Sequence, residues 1–349
     1  MKNGLVLAAM AAALLLGSNV MSKEELPKTH VHVVGYLSNV PAYLQFEKPL
    51  WTETIPKLSD GRVTADIKSF DEMGLKGPEI LRLMSNGVIE FGTATLSYFA
   101  SDNPINEAVD LAGMAPNVKT ERTIVDTFKP VYERRLLKQN IKLLGISTNA
   151  AQVIFCNTPI QGLADLKGKK VRTSSRTQAD FVEAIGGSSV NMAFAEVVPA
   201  LQTKTLDCAI TGSLSGFTAK WYEVSTHLLA LPINWNPILY AVNQTAWSKI
   251  DPKVQTFIQT NMSKMIDSIW DDAAHQTQEG YDCNTGAAAC KATVKGKMQL
   301  VVPTEADEKL LKKITEDNVV PKWAQRCSPD CVADFNETIG KKLGITARK

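Results

Sequence analysis

Apolar and polar positions between residues 162 and 212 predict alternating short strands and helices. A β-branched stretch that ends at Arg172 predicts a strand, and either Ser174 or Ser175 can cap the helix that follows it. A second strand, a second helix and a third strand complete the segment. The pattern therefore predicts a βαβαβ unit that places Arg172 at a strand end, where loops gather.

The same order of elements occurs a second time in the chain. Residues 79–92 align without a gap on residues 196–209, with a glutamate, two apolar pairs, a polar pair and an acidic residue at matching positions. Each copy follows a short predicted strand. The chain is therefore predicted to contain two similar α/β halves.

Short links and one long helix are predicted to connect these halves. Residues 149–152 and 235–239 lie between predicted strands and are expected to cross from one half to the other. A long helix is predicted from Asp251, with its apolar stripe in the core; a methionine-rich groove for a partner is the alternative. Residues 216–230 are predicted to be helical and to end at a loop that begins at Pro232.

The N-terminal sequence predicts export. Lys2 precedes an apolar run over residues 4–17, which is shorter than the roughly 18 to 20 residues that span a bilayer. We therefore predict a signal peptide over residues 1–22, with a buried first helix as the alternative. Cleavage would remove Lys2 and leave 37 basic and 36 acidic residues, and this near-neutral charge gives no support for nucleic-acid binding. The full length of 349 residues suits two domains.

Six cysteines in an exported chain predict disulfides, although six allow fifteen connectivities. They are Cys156, Cys208, Cys283, Cys290, Cys327 and Cys331. The last four form two closely spaced pairs, which predict two local bridges. Cys156 and Cys208, on predicted strands of the same half, then remain as a candidate pair across one sheet, and whether they pair stays open. Zinc is the alternative, but no histidine follows either short pair at the spacing of a zinc finger.

Motifs for catalysis, cofactors and metals are absent from the sequence. It contains no HExxH, no GxSxG and no GxGxxG after a strand, so we predict neither an enzyme nor a cofactor. His30 and His32 lie on one face of a predicted strand and could form a metal pair, but solvent exposure is the favoured interpretation. His227 and His275 are isolated and interpreted as structural.

Arg172 is the residue with the clearest binding chemistry. At a strand end, its guanidinium can offer two parallel donors to a carboxylate, and free backbone amides at the next helix start would favour the same charge. The alternative is a solvated or ion-paired arginine.

The segment LADLKGKKVR, followed by MAFAEVVPALQTKTLDCAITG, resembles the solute-binding proteins of tripartite ATP-independent periplasmic (TRAP) transporters, in the dicarboxylate-binding (DctP-like) family. This resemblance covers nearly all of the mature chain. It implies an α/β, two-lobed periplasmic-binding-protein fold (type II-like) with crossover hinge strands and a long helix spanning the lobes. Lobe I would contain residues 23–150 and 238–277, and lobe II would contain residues 151–237 and 278–349.

The resemblance also implies a binding role for one residue. In the family, the arginine that matches Arg172 binds the substrate carboxylate, in a cleft that closes on an organic acid. Departures occur at Cys208, where the family has glycine, at Thr211, where some sialate binders have asparagine, and at Gln152, where those relatives have a second arginine. These departures argue against sialate and against a strongly dianionic ligand.

Seven further residues are expected to complete the ligand-binding site. Neutral hydrogen bonds are expected from Gln152, Thr95, Thr211 and Asn236, and apolar walls from Tyr98, Phe194 and Trp235. For each aromatic residue the alternative is packing in the core.

The predicted function is that of a periplasmic, monomeric receptor that passes a small organic acid to a TRAP membrane permease, without a nucleic-acid partner. Two other classes remain open. One is the binding protein of an ATP-driven (ABC) transporter, which would share the lobed fold. The other is a secreted enzyme stabilised by disulfides.

Overall fold

Two β-sheets, both flanked by helices, form the framework of the protein. The computed structural model describes residues 25–349, and the predicted signal peptide over residues 1–22 lies outside the described residues. In the described part of the chain, one sheet has five strands in the order β2-β1-β3-β10-β4, and the other has six in the order β11-β9-β5-β8-β6-β7.

The strands and helices have the following bounds. The strands are β1 (Thr29–Gly35), β2 (Val63–Ser69), β3 (Phe91–Thr95), β4 (Ile141–Ser147), β5 (Gln152–Cys156), β6 (Lys170–Thr173), β7 (Ser188–Asn191), β8 (Cys208–Gly212), β9 (His227–Asn234), β10 (Ile238–Asn243) and β11 (Gln299–Val301). The α-helices are α1 (Ile55–Leu58), α2 (Ile80–Ser85), α3 (Val118–Leu137), α4 (Arg176–Ala184), α5 (Val197–Gln202), α6 (Ser213–Thr218), α7 (Gln244–Lys249), α8 (Pro252–Thr285), α9 (Glu305–Ile314), α10 (Val320–Arg326), α11 (Pro329–Phe335) and α12 (Lys341–Leu343). Turns of π-helix occupy Ala42–Glu47, Leu50–Thr54, Thr315–Val319 and Asn336–Gly340, and single 3-10 turns occupy Leu96–Phe99, Pro104–Glu107, Leu163–Leu166, Phe194–Glu196 and Trp221–Glu223.

The chain crosses between the sheets at the two predicted links. The first crossing lies between β4 and β5, and the second lies between β9 and β10, which returns to the five-stranded sheet. The two links are hydrogen-bonded to each other, since the Asn149 amide donates to the Trp235 carbonyl at 3.2 Å. The predicted repeat is also observed, because α2 leads into β3 as α5 leads into β8.

Helix α8 is the predicted long helix, and it packs against both sheets. The Asp251 side chain caps it, accepting from the Lys253 amide at 2.8 Å, and Gly286 ends it with a φ of 78°. The Trp270 indole donates to the Ile146 carbonyl in β4 at 3.0 Å. Near the other end, a Cβ at Gly280 would lie 2.4 Å from the backbone of Leu214, so only glycine allows this close packing on α6.

The predicted helix over residues 216–230 is wrong beyond Thr218, and the loop predicted from Pro232 begins only after Asn234. Helix α6 ends at Thr218, and His227–Asn234 forms strand β9. Strand β9 lies between β5 and β11, where most of its side chains are buried. A short apolar run is compatible with a buried helix or a buried strand, and here pairing with distant strands decided between them.

The lobe boundaries remain a prediction. Residues 29–147 and 238–243 supply the five-stranded sheet, and residues 152–234 and 299–301 supply the six-stranded sheet. The C-terminal helices, which we predicted to belong to lobe II, contact both halves. The Trp323 indole donates to the Pro104 carbonyl at 2.8 Å, and Arg135 pairs with Asp334 at 2.6 Å.

All three predicted disulfides are present, and the described residues contain no free cysteine. Cys156 in β5 and Cys208 in β8 are directly opposite each other in the antiparallel register, with Cα atoms 4.0 Å apart. The local bridges join Cys283 to Cys290 and Cys327 to Cys331. Across residues 25–349, no helix combines the length and apolar character needed to cross a membrane.

We expect the protein to lose stability as the pH rises from 5 to 8. Burial raises the pKa of Glu47, Glu107 and Asp110 to about 7 each. A carboxyl group with a raised pKa in the folded state binds its proton more tightly there than in the unfolded chain. Its stabilising effect is therefore complete below the unfolded pKa of about 4, and is lost as the pH rises through 7.

Thermal denaturation at pH 5, 6, 7 and 8 tests this expectation. Each group should contribute on the order of 1 to 3 kcal/mol to the decline. Glu47→Gln should flatten the decline, whereas the exposed Glu133→Gln should leave it unchanged. A melting temperature that rises or stays constant over this range would contradict the assignment.

Candidate ligand-binding site

A small cavity lies between the two sheets, and only about 20 Å³ of it is open to the centre of a water-sized sphere. Strand ends and links from both sheets line it. The lining residues are Tyr36, Leu37, Val40, Tyr98, Asn149, Gln152, Arg172, Ser174, Phe194, Thr211, Ser215 and Asn236. Arg172 is the one formally charged residue among them.

The Arg172 guanidinium is held in place by backbone carbonyl groups. Its Nε donates to the Met192 carbonyl at 3.0 Å, and its Nη1 donates to the Ile210 carbonyl at 2.8 Å. The side chain is only 2% exposed. Among the described residues, no carboxylate lies within ion-pair distance of it, and Nη2 makes no hydrogen bond. The cavity therefore contains a rigid cation with donors that remain available.

Burial lowers the pKa of Arg172 to about 10, so the guanidinium stays protonated at neutral pH. The nearby hydroxyl groups of Tyr98 and Tyr36 act in the opposite direction. A buried charge without a partner is costly, because the interior replaces little of the lost hydration. A bound anion would remove that cost, and a carboxylate matches the guanidinium geometry.

The backbone amides at the start of α4 are not free, contrary to the sequence-based expectation. Glu107 approaches from the other half of the chain, and its Oε1 accepts from the amides of Arg176 and Thr177 at 2.8 and 3.2 Å. Ser175 caps the same helix by accepting from the Gln178 amide. Because the Glu107 side chain occupies these amides, Arg172 is the charged donor that remains at the cavity.

Neutral polar groups surround the guanidinium. The Asn149 Nδ2 donates to the Asn236 carbonyl at 2.9 Å, and the Gln152 Nε2 donates to the Ala150 carbonyl at 3.2 Å. The Tyr36 hydroxyl lies 2.6 Å from the Thr95 hydroxyl. These bonds orient amide and hydroxyl groups that can also bind oxygen or nitrogen atoms of a ligand.

Aromatic rings close two sides of the cavity. The Phe194 ring stacks on Trp221, with centroids 5.5 Å apart. The Tyr98 ring packs on Gly77, where an added Cβ would lie 2.4 Å from the ring and where φ is 95°. Gly77 is therefore needed both for the turn and for the position of Tyr98.

Six of the eight residues predicted to bind the ligand line the cavity, namely Tyr98, Gln152, Arg172, Phe194, Thr211 and Asn236. Two do not. Thr95 lies behind the lining, fully buried against the Tyr36 hydroxyl. Trp235 packs in the core, and its indole donates to the Ala115 carbonyl at 2.9 Å, in agreement with the alternative considered for it.

Sequence analysis missed six lining residues, which are Tyr36, Leu37, Val40, Asn149, Ser174 and Ser215. Tyr36 directly follows strand β1, so the rule that ligands bind at strand ends could have identified it. Ser215 comes into position only because α6 begins immediately after β8.

Comparison with known proteins identifies the family. Residues 38–319 match the family of bacterial extracellular solute-binding proteins, family 7. The chain belongs to this family. It is therefore an extracytoplasmic solute receptor of the TRAP type, which removes the enzyme and ABC alternatives.

Individual relatives are distant in sequence and similar in fold. The sialic acid-binding periplasmic protein SiaP of Vibrio cholerae is 24% identical over 219 residues, which make up 62% of this chain and 68% of SiaP. DctP7 of Bordetella pertussis, an extracytoplasmic solute receptor binding pyroglutamic acid, has a TM-score of 0.78 at 20% identity, covering 88% of this chain and 98% of DctP7. A TRAP periplasmic solute-binding protein of Desulfovibrio salexigens, solved with orotic acid, has a TM-score of 0.77 at 16% identity, with coverages of 88% and 97%.

These comparisons establish the two-lobed α/β fold that we predicted. The matches span 52% to 68% of the length of four curated relatives, SiaP among them. Family membership also establishes that the protein binds small solutes for transport.

Proposed function

We propose that the protein captures a small organic acid with a single carboxylate in the cavity around Arg172 and delivers it to a TRAP permease. The observation that carries this proposal is the buried Arg172, which lines the cavity and has no carboxylate partner among residues 25–349. A ligand carboxylate would supply the missing charge.

The size of the cavity favours a compact ligand. In this arrangement only about 20 Å³ is open to the centre of a water-sized sphere, well below the roughly 300 to 1,000 Å³ that is typical of ligand pockets, so the two halves would have to separate to admit even a compact ligand. One cation among neutral lining groups favours a single carboxylate over two. The other lining groups, such as Asn149 and Thr211, would bind hydroxyl, carbonyl or ring amide groups of the ligand.

Closure of the two halves would enclose the ligand. Tyr36 and Tyr98 come from the five-stranded half, whereas Arg172 and Thr211 come from the six-stranded half. The two strand links between the halves are short, so rotation about them, together with movement of α8 and the C-terminal helices on one of the sheets, would separate these residues. The predicted lobe boundaries place the hinge at these links.

The proposed function also includes export to the periplasm, a monomeric state and the lack of a nucleic-acid partner. Residues 1–22 would direct export and be removed, which places the receptor in the periplasm. The near-neutral net charge supports a receptor without a nucleic-acid partner. We expect a monomer. Relatives described with pyroglutamic acid and orotic acid support the class of ligand, since each of these compounds carries one carboxylate.

A thermal-shift screen of organic acids, followed by calorimetric titration, tests the proposed function. We expect a compact monocarboxylate to raise the melting temperature, because a ligand at 100 times its Kd adds about 2.7 kcal/mol to the stability of the folded state. The primary amide of the best acid should give no shift, since it lacks the charge. Stabilisation by that amide, or by neutral sugars and not by acids, would overturn the proposal.

A further inference from the structure

Two histidines and an aspartate form a cluster on the exposed face of β1 and β2, away from the carboxylate cavity. His30, His32 and Asp66 are all solvent-exposed. Alternate residues of a strand point to the same face, so His30 and His32 share one face while Val31 and Val33 point into the core. In the parallel register, His30 is opposite Thr64 and His32 is opposite Asp66. The sheet therefore holds both imidazoles and the carboxylate together.

The donor atoms of this cluster are spaced for a single metal ion. The Asp66 Oδ2 lies 3.0 Å from the His30 Nε2 and 3.6 Å from the His32 Nδ1, and all three atoms lie within 4.8 Å of one another. Zinc binds nitrogen and oxygen donors at about 2.0 to 2.2 Å, which places neighbouring donors of a tetrahedral site roughly 3.3 to 3.6 Å apart. Small side-chain rotations would be enough to centre an ion among them.

A hydrogen bond orients the first of these ligands. The His30 Nδ1 lies 2.9 Å from the Thr64 hydroxyl, which leaves its Nε2 directed at Asp66. Histidines that bind metals usually use their second ring nitrogen in this way, which sets the tautomer and the ring orientation. Glu90 lies beside the cluster, with its Oε2 3.3 Å from the His32 amide, and adds negative charge.

We propose that His30, His32 and Asp66 bind one divalent transition-metal ion of the zinc class, at a site separate from the solute-binding cavity. Two imidazoles and one carboxylate suit Zn²⁺, whereas Mg²⁺ and Ca²⁺ prefer sites made of oxygen atoms. Because the cluster faces solvent, water would complete the coordination. The ion would join β1 to β2 and stabilise the five-stranded sheet.

Calorimetric titration of metal-free protein with ZnCl₂ tests this proposal, using protein without a histidine tag. We expect one ion per chain, a higher melting temperature with zinc, and no response to Mg²⁺. His30→Ala and His32→Ala should each weaken zinc binding tenfold or more. Thr64→Val removes only the hydrogen bond that orients His30, and this variant should bind zinc about tenfold or more weakly than the wild type.

His275→Ala is the matched control. His275 is also exposed and lies 3.1 Å from a carboxylate oxygen of Asp272, but no third donor from residues 25–349 accompanies it. This variant should bind zinc like the wild type, and every variant should melt like the wild type in EDTA. Zinc binding that survives in the His30→Ala/His32→Ala double variant, or no zinc binding by the wild type, would overturn the proposal.

Discussion

Replacing Arg172 by alanine should abolish most of the affinity for the organic acid. The substitution would leave the ligand carboxylate in a cavity that contains no other cation among its lining residues. Loss of one member of a buried, hydrogen-bonded charge pair typically costs about 2 to 5 kcal/mol, which is roughly 30-fold to several thousandfold in Kd. Calorimetric titration with the acid found by screening measures this change.

Two further variants make the Arg172 experiment specific. Arg172→Lys keeps the charge but replaces a planar pair of donors by a single ammonium group, so it should also weaken binding, though less than alanine does. Arg82→Ala removes an exposed arginine outside the cavity and should bind like the wild type. Melting curves without ligand show whether each variant folds. If folded Arg172→Ala binds within a few-fold of the wild type, another group binds the carboxylate.

Removing the Cys156–Cys208 disulfide should lower the free energy of unfolding by about 2 to 4 kcal/mol. The bridge joins residues 52 apart in sequence, so it restricts a long loop of the unfolded chain. It also joins β5 to β8, the strand that pairs with β6, in which Arg172 lies. Urea denaturation of the Cys156→Ala/Cys208→Ala variant measures the loss.

The Cys283→Ala/Cys290→Ala variant is the matched comparison for this experiment. That bridge joins residues only 7 apart, so its removal should cost less. Denaturation under reducing conditions should lower the stability of the wild type further than that of either variant. Equal stability of the wild type and the Cys156→Ala/Cys208→Ala variant would show that the long bridge does not stabilise the protein.

The position of Arg172 illustrates what could be predicted about the site. Its strand, the family resemblance around it and the absence of an enzyme motif led to the same residue, which lies in the cavity. The same local patterns predicted the start of α8 at Asp251 and the two short disulfides. Each of these features depends on residues that are close together in the chain.

Contacts between distant segments of the chain decided the other lining residues of the cavity, the partners of the α4 amides and the strand β9. Tyr36 and Ser215 are 179 positions apart in the numbering, yet both line the cavity, because the two sheets face each other across it. Glu107 reaches the amides of α4 from the other half, and β9 is a strand because β5 and β11 flank it.

The sequence by itself therefore determined the α/β halves, the long helix, the local bridges and the arginine at the site, since periodicity, caps and short spacings act within a few turns of chain. The tertiary structure alone decided that Tyr36 and Ser215 join the neutral groups around Arg172, and which helix amides are already occupied. The physical reason is that hydrogen bonding and burial across the cleft depend on how the two halves pack, and a short run of apolar or polar residues is compatible with several such partners.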